Sequence, residues 1–444
     1  MIKILHNGPR RITTFGRGLI WILLLVFVLL GSVVSAAPRK GKGLFEKKVL
    51  ENGITVLYKT MKDQPKISMY AVIPIGTNYE EPNKKGIAHL LEHLIFRGHG
   101  DYTFKDVMEV TSRQGGYFNG FTSFYTTTYN YVVPKEQFEQ AFKTFNASLW
   151  EPAFESHNVE MEKQIIVHEL DLSYSSRYPY YPVIRYFYPE MFHSKETLAG
   201  ISASDLKAFH QNYYQPQNVT FIIAGDFEPQ KVFDELAKVK NGFGAKEVPK
   251  VETKMISLPR GEVVETRNLY PFKYQVLMAY ELEGLTAKER MVLKLLSFIY
   301  GMDFKVDYLK EQYKIYNVVT RTVGNKDFFG IYYLERNNPF SPEEYAKEKQ
   351  NLKDYFEEFK KIDFKRAVQN LIGLILLEEI YSQATPEDVV EYEVARLTNP
   401  DNISVEAIDI LKKLTPKDLE SVINKYFQAE PTAWILVKDQ EGGK

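Results

Sequence analysis

Alternating apolar and polar residues open the readable part of the chain. From Phe45, the run KKVLENGITVLYKT sets Asn52 and Gly53 between two apolar-rich stretches, which predicts a β-hairpin. KISMYAVIPIG predicts a further strand, and GYFNGFTSFYTTTYNYVVP, dense in Tyr, Phe, Thr and Val, predicts strands again. Between them the period lengthens. Ile87, Leu90, Leu91, Leu94 and Ile95 follow the i, i+3, i+4, i+7, i+8 spacing of one buried helical face, with Asn83 as the expected cap and Gly98 as the stop. Helical patterns dominate from Glu136 to Leu172; DLKAFHQNYY predicts another helix, stopped by Pro216, and NVTFIIAGDF a buried strand entering a turn.

A composition shift follows at 241–263, rich in Gly, Pro and Lys without a sustained apolar period, as expected of an interdomain linker. Similar elements then return: YQVLMAYEL, DFFGIYYLER and TAWILVK read as strands, TAKERMVLKLLSFIYG and LTPKDLESVINKYF as helices. SASDLKAFHQNYY before NVTFIIAGD is echoed by LTPKDLESVINKYF before TAWILVK. The expected fold class is therefore α+β, with two related domains over 44–240 and 264–440, each a mostly antiparallel sheet with helices packed on it.

Ahead of these, residues 1–43 begin with Lys3, Arg10, Arg11 and Arg17 and no acid, continue with an apolar run from Leu19 to Leu30, and end in small residues. This is the layout of a secretory signal peptide, with cleavage expected after Ala36 or Ala37. The alternative is an uncleaved membrane anchor, because Gly18 to Ala37 carries no charge. Either way the protein is expected to be exported, periplasmic or extracellular. A balance of 56 basic against 57 acidic residues gives no electrostatic footprint for nucleic acid. The absence of cysteine excludes thiol nucleophiles, disulfides and thiolate metal sites.

Candidate chemistry sits on the helix near residue 90. His89, Glu92 and His93 lie opposite its apolar stripe, at i, i+3 and i+4, so they share one patch. Phe96 continues the same line, which implies that this side meets a cavity or another element rather than open solvent. Histidines at i and i+4 can both direct a ring nitrogen at a tetrahedral zinc, and a neighbouring carboxylate can act as general base. A third ligand is required. HNVEMEKQIIVHELDL places Glu162 and Glu169 seven apart on one helical face, but periodicity leaves Glu162, Glu169, Asp171 and His168 all open. All eight histidines, His6 to His210, lie in the first half, so the second domain holds no histidine metal site. No G-x-S-x-G elbow for a serine nucleophile is present in the mature chain.

H-x-x-E-H as His89-Leu90-Leu91-Glu92-His93, with Glu169 downstream, resembles the inverted zinc metallopeptidases of the pitrilysin, insulin-degrading enzyme and mitochondrial processing peptidase family. GGYFNGFTSFYTTTY resembles the family's G-G-x-x-N-A-x-T segment, MEKQIIVHEL its third-ligand helix, and LTPKDLESVINKYF the last helix of its second domain. The resemblance covers nearly all of residues 45 to 440. It implies a catalytic zinc-binding domain followed by a homologous inactive domain, one zinc per chain held by His89, His93 and Glu169, Glu92 as general base, and Glu162 as a supporting carboxylate. Asn119 and its strand would hold a peptide or unfolded protein substrate by strand addition. The family's second domain also offers an Arg and a Tyr in a segment resembling L-R-E-K-x-G-L-A-Y. The counterpart LKEQYKIYNV has Lys310 in place of the Arg and Tyr316 one residue closer. Members of this size form half of a clamshell, which implies a homodimer or a heterodimer with a homologous subunit. The family also includes non-catalytic assembly subunits, the alternative to a peptidase, against which an intact H-x-x-E-H argues.

Overall fold

The computed structural model describes residues 44–99, 102–173, 193–239, 261–267, 274–302, 315–323, 326–336, 341–399 and 407–439. The signal or anchor expected over 1–43, residues 241–260 of the expected linker, and Lys310 lie outside the described residues. Residues 261–263, the end of that linker, are instead the start of a strand.

The first half builds a six-stranded sheet from β1 (Glu46–Val49), β2 (Thr55–Thr60), β3 (Lys66–Ile73), β6 (Tyr117–Thr122), β7 (Thr127–Pro134) and β8 (Thr220–Gly225). A two-residue ribbon, β4 (Gly98–His99) with β5 (Tyr102–Thr103), stands apart from it. Asn52 and Gly53 turn the chain between β1 and β2 as the sequence predicts; Gly53 takes φ +94°, open to glycine without steric cost. The second half builds a five-stranded sheet from β9 (Gly261–Arg267), β10 (Tyr274–Leu282), β11 (Ile315–Val323), β12 (Lys326–Arg336) and β13 (Ala433–Asp439).

The two sheets share a topology. The first runs β1-β2-β8-β3-β7-β6 and the second, in reverse, β9-β13-β10-β12-β11. Leaving β1 aside, both place the strands of their half in the order first, last, second, fourth, third. Both have one parallel pair, β2 with β8 and β9 with β13, and are otherwise antiparallel. The echo read in the sequence is thus a duplicated α+β architecture.

The helices of the first half are α1 (Ile87–Ile95), α2 (Phe104–Val110), α3 (Phe138–Trp150), α4 (Ser156–Ser173), α5 (Lys195–Ala199), α6 (Ala203–Tyr213) and α7 (Pro229–Ala237). The helical stretch expected over 136–172 is broken between Trp150 and Ser156 into α3 and α4. The second half adds α8 (Ala287–Met302), α9 (Pro342–Phe359), α10 (Phe364–Tyr381), α11 (Pro386–Thr398), α12 (Ile408–Leu411) and α13 (Pro416–Tyr426). Before each parallel strand stands a helix with a capping box, Ser202 with Asp205 for α6 and Thr415 with Asp418 for α13.

One core gathers the face of the first sheet with α1, α3, α4 and α6; another gathers β10, β12, α8, α10 and α13. The opposite face of the first sheet is covered from the second half: Val389 and Val390 of α11 are fully buried against Val72, Ile222 and Ala224. No helix among the described residues is long and apolar enough to cross a membrane.

Candidate metal centre

Helix α1 is placed by its apolar stripe. Ile87, Leu90, Leu91, Leu94 and Ile95 are all buried in the first core, as their spacing predicts. Its start departs from the expectation. Asn83 belongs to a separate short helical turn, and the cap of α1 is Gly86 at φ +98°, with no side-chain hydrogen bond of its own. The carboxylate of Glu80 takes that duty from a distance, accepting from the Gly86 N–H at 3.0 Å and the Ala88 N–H at 2.9 Å. Burial raises the Glu80 pKa to about 7 against the pull of these two amides. A side chain at Gly86 would meet Leu198 and the Cβ of His193 at 2.7 and 2.8 Å, so glycine is required by both space and φ.

The polar side of α1 is covered, as Phe96 implied. Phe96 is buried, its ring 4.8 Å from that of Phe118 on β6. Helix α4 brings its two spaced glutamates against the histidines. Nε2 of His89 and Nε2 of His93 each lie 3.7 Å from Oε2 of Glu169. One ligand atom from each of His89, His93 and Glu169 falls within 4.8 Å of the others. Tetrahedral zinc with bonds of ~2.0–2.2 Å separates its ligand atoms by ~3.4 Å, so this donor set fits the ion within a few tenths of an ångström on two sides.

Glu162 occupies the other side of the same ring. It accepts from His93 Nδ1 at 2.7 Å and, through its second oxygen, from Arg97 Nε. With Nδ1 engaged, Nε2 is the nitrogen left to face Glu169 and His89. Burial works to raise the Glu162 pKa, but His93 and Arg97 outweigh it and hold the carboxyl below its usual value. For His93, burial works to lower the pKa, and Glu162, Glu92 and Glu169 together raise it. Among the other candidates, His168 is exposed, and the side chain of Asp171 lies outside the described residues.

Glu92 stands apart from the donor cluster. Its Oε2 accepts from Thr122 Oγ1 at 2.7 Å, and burial raises its pKa to about 7, against His93 and Thr122, which lower it. A Cβ on Gly120, between Asn119 and Phe121, would lie 2.6 Å from Glu92 Oε1 and 2.7 Å from its Cγ. Strand β6 therefore approaches Glu92 more closely than a strand bearing a side chain at position 120 could. It is also the edge of the six-stranded sheet, with Asn119 exposed opposite Asn130. Tyr316 falls at the register irregularity between Ile315 and Asn317 on β11, the edge strand of the second sheet, and its side chain is not among those described.

Sequence reasoning missed Glu80, Arg97, Gly120, Thr122 and His193, whose buried ring lies 5.3 Å from that of His89. Thr122 and Gly120 sat in a segment already singled out as strand-forming and as resembling the family's G-G-x-x-N-A-x-T. Arg97, four residues after His93, was within reach of helical spacing, whereas Glu80 and His193 come from segments outside α1 and carried no local signal.

Residues 55–180 match the family described as insulinase (peptidase family M16), and residues 200–371 match the peptidase M16 inactive domain. The probable zinc protease PqqL of Escherichia coli is 27% identical over 50% of this chain and 26% of its own length. The chain spans about a quarter to a half of the length of the first curated relatives it matches. In fold, a protease from Helicobacter pylori superposes with a TM-score of 0.72 at 20% identity, over 88% of this chain and 99% of that one. Pitrilysin gives 0.67 at 18% identity, over 91% of this chain and 45% of its own. Two consecutive matches, first to the peptidase domain and then to its inactive counterpart, run in the order of the two sheets, and the chain belongs to peptidase family M16.

Proposed function

We propose that this chain is a zinc-dependent endopeptidase that hydrolyses peptides or unfolded protein segments in a closed chamber. The observation that carries the reading is the convergence of His89, His93 and Glu169 beside a buried carboxylate, Glu92, that is not one of them. His89 and His93 through Nε2, and Glu169 through Oε2, would hold the ion. Zinc in such a site supplies Lewis acidity and a water whose pKa falls toward ~7. Glu92 accepts the proton of the attacking water and returns it to the departing amine, a role that suits a carboxylate with its pKa near 7. Glu162 orients His93 by holding Nδ1. An extended substrate pairs with the free edge of β6 at Asn119, a mode that reads backbone more than side chain.

On this reading residues 44–240 are the catalytic domain and 264–440 its inactive homologue. Lys310 and Tyr316 are proposed to assist substrate binding, although a lysine supplies charge without the planar fork of arginine. The chain is proposed to be exported under the signal or anchor of residues 1–43, and to pair with a second copy or a homologous subunit to close the chamber. The match of residues 200–371 to an inactive domain is compatible with one alternative, a non-catalytic assembly subunit working with a partner chain, against which the intact H-x-x-E-H argues.

Bound zinc and cleavage of an unstructured peptide, measured for wild type and Glu92→Gln, alone and with a homologous partner, test the proposal. Turnover that Glu92→Gln abolishes while keeping zinc is expected. Zinc bound without turnover under all these conditions would establish the assembly-subunit reading, and full zinc occupancy in His89→Ala would refute the ligand assignment.

A further inference from the structure

We propose that Arg97 is a positioning residue for the metal centre, fixing Glu162 so that Glu162 can fix the ring of His93; the inference rests on the zinc reading above. The argument begins with the carboxylate. An ionised carboxylate has only acceptors, so both of its oxygens need donors when it is buried. Glu162 is almost fully buried, with one oxygen on His93 Nδ1 and the other on Arg97 Nε. Were only the histidine bond present, the carboxylate could turn about its stem and carry the ring with it. With the second oxygen held, rotation breaks one bond or the other.

Arg97 is itself restrained. Its backbone N–H donates to the Leu94 carbonyl at 2.9 Å, so it extends the last turn of the helix that carries His89, Glu92 and His93. Its guanidinium lies 4.7 Å over the ring of Phe104 at the start of α2, a cation–π contact that leaves the Nε edge directed at Glu162. Phe104 in turn meets Phe118 of β6 edge to face at 6.2 Å. The ring of His93 is thereby tied through α4 back to its own helix and to α2. The hydrogen bond of the Arg97 side chain goes to Glu162, so the orienting effect proposed for it passes through that carboxylate.

That serial arrangement can be tested by a cycle of four proteins: wild type, Arg97→Met, Glu162→Ala and the double variant. Met keeps an apolar stem over Phe104 and removes the donor. Zinc affinity, read by competition with a colorimetric chelator, is expected to fall about tenfold in Arg97→Met, toward the low end of the 10–100-fold typical of groups that orient a ligand. In the Glu162→Ala background the same substitution is expected to change affinity by less than about twofold, because the carboxylate through which Arg97 acts is gone. An unchanged affinity in Arg97→Met would overturn the proposal. So would an equal loss in both backgrounds, which would mark Arg97 as a general stabiliser of the fold. A wild-type protein that binds no zinc would instead overturn the zinc reading itself.

Discussion

The closest approach in the site is also the sharpest place to perturb it. Gly120→Ala adds one methyl group, whose carbon would sit 2.6 Å from Glu92 Oε1, 2.7 Å from Cγ and 2.9 Å from Cδ. Carbon and oxygen need more than 3 Å, so something must move by about half an ångström or more. The strand is poorly placed to yield, since β6 is paired along its length with β7, where Gly120 faces the fully buried Tyr129 and Thr122 faces Thr127. Displacement therefore falls on the Glu92 side chain, which gives up its bond from Thr122. Overpacking costs about 1–3 kcal/mol of stability, and a hydrogen bond to a carboxylate about 1.5–3 kcal/mol. The catalytic effect is larger in proportion, because misplacing a reacting group by ~1 Å costs ~100-fold. We expect Gly120→Ala to lower kcat on a quenched fluorescent peptide about 30- to 100-fold, with KM changed less than about threefold and zinc content unaltered. The three atoms nearest the methyl group all belong to Glu92, so loss of zinc is not expected. A kcat within about threefold of wild type would refute the view that β6 sets the position of Glu92.

Three further outcomes follow from other parts of the fold. His210 is buried, its Nε2 2.9 Å from the Leu149 carbonyl, and burial lowers its pKa to about 4 against the partial support of that bond. The neutral ring is thus favoured on folding; its contribution of about 3 kcal/mol is intact above pH ~6.5 and lost as pH falls from there through about 4. The urea midpoint of wild type should drop over that window, and His210→Gln should flatten the slope; an unchanged slope would count against it. Asn52 donates to the carbonyls of Leu236 and Val239 at the end of α7, so Asn52→Ala should cost about 1–2 kcal/mol by urea unfolding, and a cost near zero would show the cap to be dispensable. Val389→Ala removes a fully buried contact between α11 and the first sheet and should cost about 2 kcal/mol, whereas an exposed control such as Lys66→Ala, which breaks only the 3.5 Å pair with Glu387, should cost under about 1 kcal/mol.

How much of this was legible in the chain depends on how local each cause is. The buried stripe of α1 and the opposed His89, Glu92 and His93 follow from a 3.6-residue period and were readable directly. Glu162 and Glu169 were readable as one stripe, but not as two roles. Seven residues advance a helix by ~10 Å, enough to put the two carboxylates on opposite nitrogens of a single imidazole, and no period in α4 says which nitrogen of His93 either one meets. The strands β11 and β9 and the helices α9 to α11 were not singled out, and α11 shows why linear reading fails there. It lies within the second half in sequence yet buries Val389 and Val390 on the first sheet. Glu80 illustrates the same limit at the site, since a cap supplied from outside the helix leaves no S/T-x-x-E signature.

The duplicated topology turns these details into an argument about where chemistry can reside. Helix α8 stands between the second and third strands of its sheet, as α1 does in the first, and it buries Val292, Leu295, Leu296 and Ile299 in an apolar core. Helix α1 buries an equivalent stripe, and in addition the site around it encloses Glu80, Glu92 and Glu162, groups that cost free energy to desolvate. Helix α8 has a charged contact of its own, Arg290 on the buried Asp327 at 2.9 Å, so buried charge is not peculiar to the first half; what distinguishes the first half among the described residues is the convergence of two histidines with a glutamate. Glu80 caps α1, whereas Glu162 holds His93 and Glu92 meets Thr122 of β6, and the second half, lacking histidine altogether, can only contribute through groups of another kind. Its edge strand β11 is the topological counterpart of β6, and Tyr316 interrupts its register. If the second half takes part in substrate binding, the equivalence of the two edges directs attention to that strand rather than to α8.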